Sequence, residues 1–242
     1  MLFLKPKRFK VVDSTQKIAK EMAAKNCPQG LIIVADRQKE SYGRLGRSWS
    51  AGVGGLWFSF VLRPKISLQK ILVIAPLIAI ALNKAIKKSF KISSKIKWPN
   101  DILIERKKVA GILVEASSRG RKVDWLVIGI GVNVNNRLPN FLQQTAATLK
   151  QVCGKNVSKE VLLESFAREF DLCYKKFLKV GFSSFVNFYN KNLSFYNREV
   201  IVFTDDLSQA GINKGIAKTG KLVLKMPQGI KRVSAGTLRL AD

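Results

Sequence analysis

RQKESYGRLGRSWSAGVGGLWFS, Arg37 to Ser59, links two strongly apolar runs, LIIVAD (Leu31 to Asp36) and LWFSFVL (Leu56 to Leu62). Both runs are rich in β-branched or aromatic residues, which predicts buried strands. The connection carries five glycines, three arginines and Trp49. A glycine-rich, arginine-bearing loop between core strands suits an anion. Glycine lets backbone N–H groups approach phosphate oxygens, and guanidinium forks neutralise and orient them. It is not a Walker loop, because no Gly-Lys-Ser/Thr closes it and a strand follows it. The discriminating unit is Gly43-Arg44-Leu45-Gly46-Arg47-Ser48-Trp49.

Working outward, Asp13-Ser14-Thr15 precedes Ile18, Ala19, Met22 and Ala23, an apolar stripe on one helical face. The helix should end near Asn26, before Pro28 and Gly30. N-capping accounts for one hydroxyl of the pair, not for both. Downstream, Leu68 to Phe90 repeats apolar residues at helical spacing. Its apolar run Ile71 to Leu82, 12 residues, is too short to span a bilayer and reads as a buried helix. Pro76 kinks that helix or marks its true start. Pro99 makes Ile96 to Ile104 a strand, turn and strand. Lys107 to Glu115 is a further strand, with Glu105 to Lys107 at the hairpin tip, and Ala110-Gly111 inside it lets a partner approach the backbone. Trp125 to Val132 reads as a central strand running into Asn133 and Asn135. Helices are expected over Lys159 to Leu178 and Phe182 to Asn190.

From Ser194 the period shortens. Val200 to Phe203, Ala210 to Lys218, Lys221 to Met226 and Ile230 to Ala235 are strand-like runs punctuated by glycine. The expectation is an α/β (α+β) protein with a mixed β-sheet flanked by helices over 1–193. A small C-terminal β-barrel over 194–242 follows it.

The chain has 242 residues, 47% hydrophobic and 24% charged, ordinary for a globular protein. Its formal charge of +27 points to nucleic acid, anionic membranes or acidic proteins. The lysines are spread along the chain without a block of five or six, which also fits a solvated surface. Histidine is absent, which excludes an imidazole base and a zinc–histidine site. The three cysteines, Cys27, Cys153 and Cys173, form no disulfide framework, which fits a reducing cytoplasm. The N-terminus lacks a sustained apolar signal region.

Four motifs now stand in order: GRxGRxW (Gly43 to Trp49), KWPND (Lys97 to Asp101), KxAGIL-E (Lys108 to Glu115) and GIGxNxN (Gly129 to Asn135). Together they make the chain, from Val12 onward, resemble the biotin–protein ligases, or biotin–[acetyl-CoA-carboxylase] ligases. The resemblance implies a catalytic domain followed by a small barrel. It also implies ATP and biotin as substrates, with Mg2+, and a biotinyl-adenylate intermediate. The acceptor it implies is a lysine of the biotin carboxyl carrier protein of acetyl-CoA carboxylase. This chemistry runs on positioning and charge neutralisation and needs no histidine.

Carried over by position, the resemblance places Ser14, Thr15 and Gln38 at biotin's ureido group, with Gln16 beside them. Tyr42, Gly43 and Arg44 belong to the ligand-covering loop, and Gly111, Ile112 and Leu113 to the biotin pocket wall. Arg44 and Arg47 meet the phosphate or organise the loop, and Trp49 packs near the adenylate. Lys108 bridges the biotin carboxylate and α-phosphate. Asn100, Asp101 and Asn133 line the nucleotide–metal side, with no set of protein metal ligands expected. Of the neighbours Lys107 and Lys108 only one should point inward, and the motif spacing selects Lys108.

Two departures stand out. Members often read GRGRxGR, whereas Ser41-Tyr42 replaces the first Gly-Arg and removes a charge from the loop. No winged helix precedes Ser14, so DNA binding is not expected. The expected setting is the cytoplasm without membrane attachment; the oligomeric state, homodimer included, is left open. A lipoate–protein ligase is the nearest rival, separated by whether the pocket suits a ureido ring or a dithiolane. A basic nucleic-acid-binding protein is the rival from another class. It calls for aromatics on an exposed platform, whereas most aromatics here sit in apolar runs.

Overall fold

A computed structural model describes residues 2–204 and 207–241. The chain opens with β1 (Lys7–Val12), α1 (Thr15–Ala24), β2 (Ile32–Gln38) and β3 (Leu56–Leu62). Next come α2 (Ile74–Phe90), β4 (Lys95–Lys97), β5 (Asp101–Ile104), β6 (Lys107–Arg119) and β7 (Lys122–Val132). Three helices follow, α3 (Leu149–Cys153), α4 (Lys159–Val180) and α5 (Val186–Asn192). The strands β1 to β7 form one mixed sheet in the order β1-β2-β3-β7-β6-β5-β4, with only β1 and β2 parallel.

The side-chain period of two divides this sheet. On β3, Phe58, Phe60 and Leu62 join the main core with α2 and α4, while Val61 packs with Ala19 and Ala23 of α1 on the other face. Helix α4 presents Phe166, Phe170 and Tyr174 at four-residue spacing, and successive rings stack at 5.8 and 5.6 Å. Burying such a side chain contributes about 1.5–3 kcal/mol. Because α1 covers only part of its face, the strand ends beside it remain open to a ligand.

The chain continues as β8 (Glu199–Phe203), β9 (Ser208–Ile216), β10 (Leu222–Met226), β11 (Gly229–Val233) and β12 (Thr237–Leu240). These form a five-stranded antiparallel sheet ordered β11-β10-β9-β8-β12. Among the described residues the two edge strands do not pair, so an antiparallel sheet is present but a closed barrel is not shown.

Several elements differ from expectation. Pro76 is the third residue of α2, where its missing N–H costs nothing, so it marks a start and no kink. A 3-10 turn over Leu68–Val73 leads into it. The resulting stretch Leu68–Phe90 is 23 residues, long and apolar enough to span a membrane by composition, which corrects the shorter estimate. Its packing against β6 and α4 makes it a core helix instead, and 67% of its most apolar window is buried. Strands β1 and β12 and helix α3 were not anticipated. β1 is an edge strand with mostly exposed side chains, so it carries little hydrophobic alternation.

Candidate active site

One cavity of about 230 Å³ lies where α1, the open ends of β2, β3, β7 and β6, and the glycine loop converge. The loop folds as a small hairpin. Trp49 N donates to Ser41 O at 3.0 Å and Gly43 N to Arg47 O at 2.8 Å, with Leu45 at the tip in the left-handed region. Its return leg delivers Trp49 onto a floor of two facing glycines, Gly111 of β6 and Gly131 of β7. A Cβ on Gly131 would stand 2.7 Å from the Trp49 ring, and one on Gly111 at 3.0 Å. Overpacking of this kind costs about 1–3 kcal/mol. Gly131→Ala is therefore expected to weaken binding of the biotin that the resemblance implies by at least about fivefold, read by calorimetric titration. The Trp49 indole N–H is buried without an acceptor among the described residues, a donor that a ligand or water can satisfy.

One end of the cavity is polar and nearly uncharged. Ser14 caps α1, accepting from Gln16 N and Lys17 N at 3.2 and 3.4 Å. Thr15 does something else. Its hydroxyl donates to Gln38 Oε1 at 3.1 Å and meets Ser59 Oγ at 2.9 Å, and its backbone N donates to Gln38 Oε1 at 2.7 Å. Ser59 Oγ donates to Gln16 Oε1 at 3.0 Å, and Gln16 Nε2 donates to Val127 O. The result is a buried chain of hydroxyl and amide groups, suited to reading a neutral polar ring.

The other end is cationic. Lys108 Nζ lies 2.7 Å from Asp101 Oδ1 and 5.0 Å from the Trp49 ring centre. Arg44 donates to Asn100 Oδ1 at 3.3 Å and to Gly236 O at 3.2 Å. Arg47 is more exposed and reaches Thr237 Oγ1 at 3.4 Å. Asn100 Nδ2 donates to Ile112 O, which ties the turn after Pro99 to the cavity wall. Lys97 also lines this end. Burial pulls its amine below the ordinary lysine range; Asp101 opposes that, while Lys108 and Arg239 add to it.

Lys108 owes its direction to a bulge. Alternation back from Gly111 would turn Val109 and Lys107 to the cavity. The register against β5 instead slips, pairing Ile102 with Ala110 but Leu103 with Lys108. Val109 and Ala110 thereby both enter the core, and Lys108 turns to the cavity. Such bulges re-aim side chains beside sites.

Every residue expected at the site lines this cavity except Asn133. Asn133 lies outside this lining: it is buried, its side chain accepts from Asn136 Nδ2 at 3.3 Å, its backbone N–H donates to Val109 O of β6, and its carbonyl accepts from Leu149 N of α3. It organises the strand exit. Sequence reasoning overlooked Ser59, Lys97 and the segment Gly236 to Leu238. Ser59 had a signal, as the lone hydroxyl in LWFSFVL, and Lys97 sat in a quoted motif without a role. Nothing in the spacing tied Gly236 to a loop almost 200 positions earlier.

With this geometry in place, the comparison with known proteins is direct. The model of the biotin/lipoate A/B protein ligase family matches residues 8–133. The chain belongs to that family. A bifunctional ligase/repressor of Bacillus subtilis is 34% identical over 95% of this chain and 72% of its own length. A biotin–[acetyl-CoA-carboxylase] ligase of Paracoccus denitrificans is 29% identical, covering 84% of this chain and 87% of the relative. Among solved structures, the biotin protein ligase of Aquifex aeolicus in complex with biotin and ATP superposes with a TM-score of 0.89. It shares 30% identity and covers 99% of this chain and 100% of that one.

Proposed function

We propose that this family member activates biotin with ATP and transfers it to a lysine of a biotin carboxyl carrier protein. The observation that carries the reading is one cavity with a polar, hydroxyl-lined end and a cationic end, joined by a glycine floor under Trp49. The polar end fits a ureido ring, which offers both donors and an acceptor, better than a dithiolane, which offers neither. The floor leaves room for an aliphatic chain, and the cationic end fits the carboxylate and phosphates. The ligands named for the relatives support the same reading.

In the first step a biotin carboxylate oxygen attacks the α-phosphorus, the bond to the bridging oxygen breaks, and pyrophosphate leaves. Lys108 reduces repulsion between the two anions and Arg44 gathers phosphate charge, while Asp101 holds the Lys108 amine in place. In the second step a carrier lysine amine attacks the acyl carbon, loses a proton, and AMP departs. Mg2+ fits as an ion carried on the nucleotide phosphates. Among the described residues Asp101 is the one carboxylate lining the cavity, and they hold no cluster of three metal-ligating side chains. Such an ion would neutralise the triphosphate. Three free cysteines suit a cytoplasmic setting.

Incubation with ATP, magnesium and labelled biotin should yield biotinyl-adenylate, and labelled carrier once a carrier domain is added. Preference for lipoate would replace the reading with its rival. The charge of +27 favours encounter with an acidic carrier domain, a rate effect that salt screens. Carrier labelling should therefore slow as salt rises from 50 to 500 mM (roughly a halving or more of the Debye length), while adenylate formation changes less. Salt-insensitive transfer, or specific DNA binding at physiological salt, would contradict it.

A further inference from the structure

We propose that Tyr42, Glu115 and Lys20 form a latch that holds the glycine loop over the cavity, with Glu115 and Lys20 acting as positioning residues through Tyr42. Tyr42 Oη donates to Glu115 Oε2 at 3.0 Å, and Lys20 Nζ donates to Glu115 Oε1 at 2.8 Å. Lys20 Nζ also reaches Tyr42 Oη at 3.4 Å. Three elements meet there: the loop, α1 and β6. Only Tyr42 of the three lines the cavity. Glu115 and Lys20 touch no reacting group, so what they do for the site passes through the loop.

The contact differs from the surface ion pairs nearby. Lys17 and Glu40 sit at side-chain exposures of 48% and 61%, whereas Lys20 and Glu115 stand at 37% and 29%. Burial pushes the Glu115 carboxyl up, but hydrogen bonds from Lys20, Gln16 and Tyr42 outweigh it and hold it below the usual range. Burial and the Glu115 charge raise the Tyr42 phenol, which stays protonated and able to donate. Each oxygen of one carboxylate thus takes a donor from a different element, and removing either donor loosens the other.

Location gives the latch its purpose. The tip of the loop is tied by Arg44 and Arg47 to Asn100, Gly236 and Thr237. Its base is tied by Tyr42. A segment with Gly43 and Gly46 has much conformational freedom to lose on closing, and a fixed base leaves only the tip to order around a ligand. The loop then positions Trp49 and Arg44 before substrate arrives.

The proposal rests on the ligase reading for its catalytic consequence, but its first test needs no substrate. Trypsin cleavage after Arg44 and Arg47 is followed by mass spectrometry on wild type, Tyr42→Phe, Glu115→Gln and Lys20→Met. Tyr42→Phe keeps the ring and its packing. Cleavage is expected to rise roughly tenfold in Tyr42→Phe and Glu115→Gln, the scale of one lost charge-assisted bond. The Tyr42→Phe/Glu115→Gln double variant should be cleaved no faster than either single variant, and Lys20→Arg should restore the wild-type rate. With biotin and ATP, Glu115→Gln should release biotinyl-adenylate roughly tenfold faster while kcat for its formation stays within about twofold. Unchanged cleavage, or single effects that multiply in the double variant, would overturn the latch. Absence of adenylate from wild type would overturn the ligase reading alone, leaving the cleavage result to decide the latch.

Discussion

Lys108→Ala is expected to lose roughly 10²-fold or more in adenylate formation, the scale of one removed transition-state contact, while Lys107→Ala stays near wild type. A carboxylate and a triphosphate repel, and the reaction needs a cation between the attacking oxygen and the α-phosphorus. Of the two neighbours on β6, Lys108 lines the cavity, whereas Lys107 is exposed and donates to Gln143 O at 3.0 Å. Removing Lys108 also leaves Asp101 without its ion-pair partner, turning a neutral pair into a lone negative charge beside the incoming phosphates. Pyrophosphate release under saturating substrates measures both variants. The reverse order of effects would mean that the bulge at Val109 does not aim Lys108 inward.

Arg44→Ala comes second, with a loss of roughly 10- to 100-fold in adenylate formation or retention. Charge-assisted bonds contribute about 1.5–3 kcal/mol, and each 1.4 kcal/mol is tenfold. The side chain reaches Asn100 and Gly236 as well as the cavity, so the loss combines phosphate binding with a looser loop tip. Arg44→Lys separates the two, since it keeps the charge and gives up the planar fork. Adenylate formation and release both unchanged in Arg44→Ala would remove this residue from the site.

Much of this site was legible because its parts are local and carry strong punctuation. The strands either side of the glycine loop, the helix beginning after Ser14 and the turn at Pro99 each announce themselves within about ten residues. The hydroxyl pair also divided as capping chemistry requires: both line the cavity, but Ser14 Oγ serves the helix end while Thr15 reaches across to Gln38 and Ser59. What stayed hidden depends on distant partners. β1 exposes most of its side chains, so no periodicity marks it. The bond from Asn136 to the Asn133 side chain, which ties the strand exit, has no mark in the motif. Helix α3 had a readable signal in the capping box of Thr148 and Gln151, but five residues are too few for an apolar stripe. Tyr42 looked like a charge lost from the loop. Lys20, on a helix more than 20 positions earlier, places a cation back beside it, which no motif scan of the loop can register.

The wall built by Gly236 to Leu238 has a consequence for the order in which the molecule becomes competent. Ser14 and Thr15 emerge from a ribosome among the first residues of this sequence, and Leu238 more than 220 positions later. Between those moments the large sheet can form with α1, α2 and α4 already against it, yet the cavity has one side missing. Arg44 and Arg47 have no Gly236 or Thr237 to grip. On the proposed function, a growing chain therefore passes through a long interval in which it holds the polar end of the cavity without the wall that β12 supplies. The cavity and the grip on the loop arginines are complete only in molecules whose two sheets have already met.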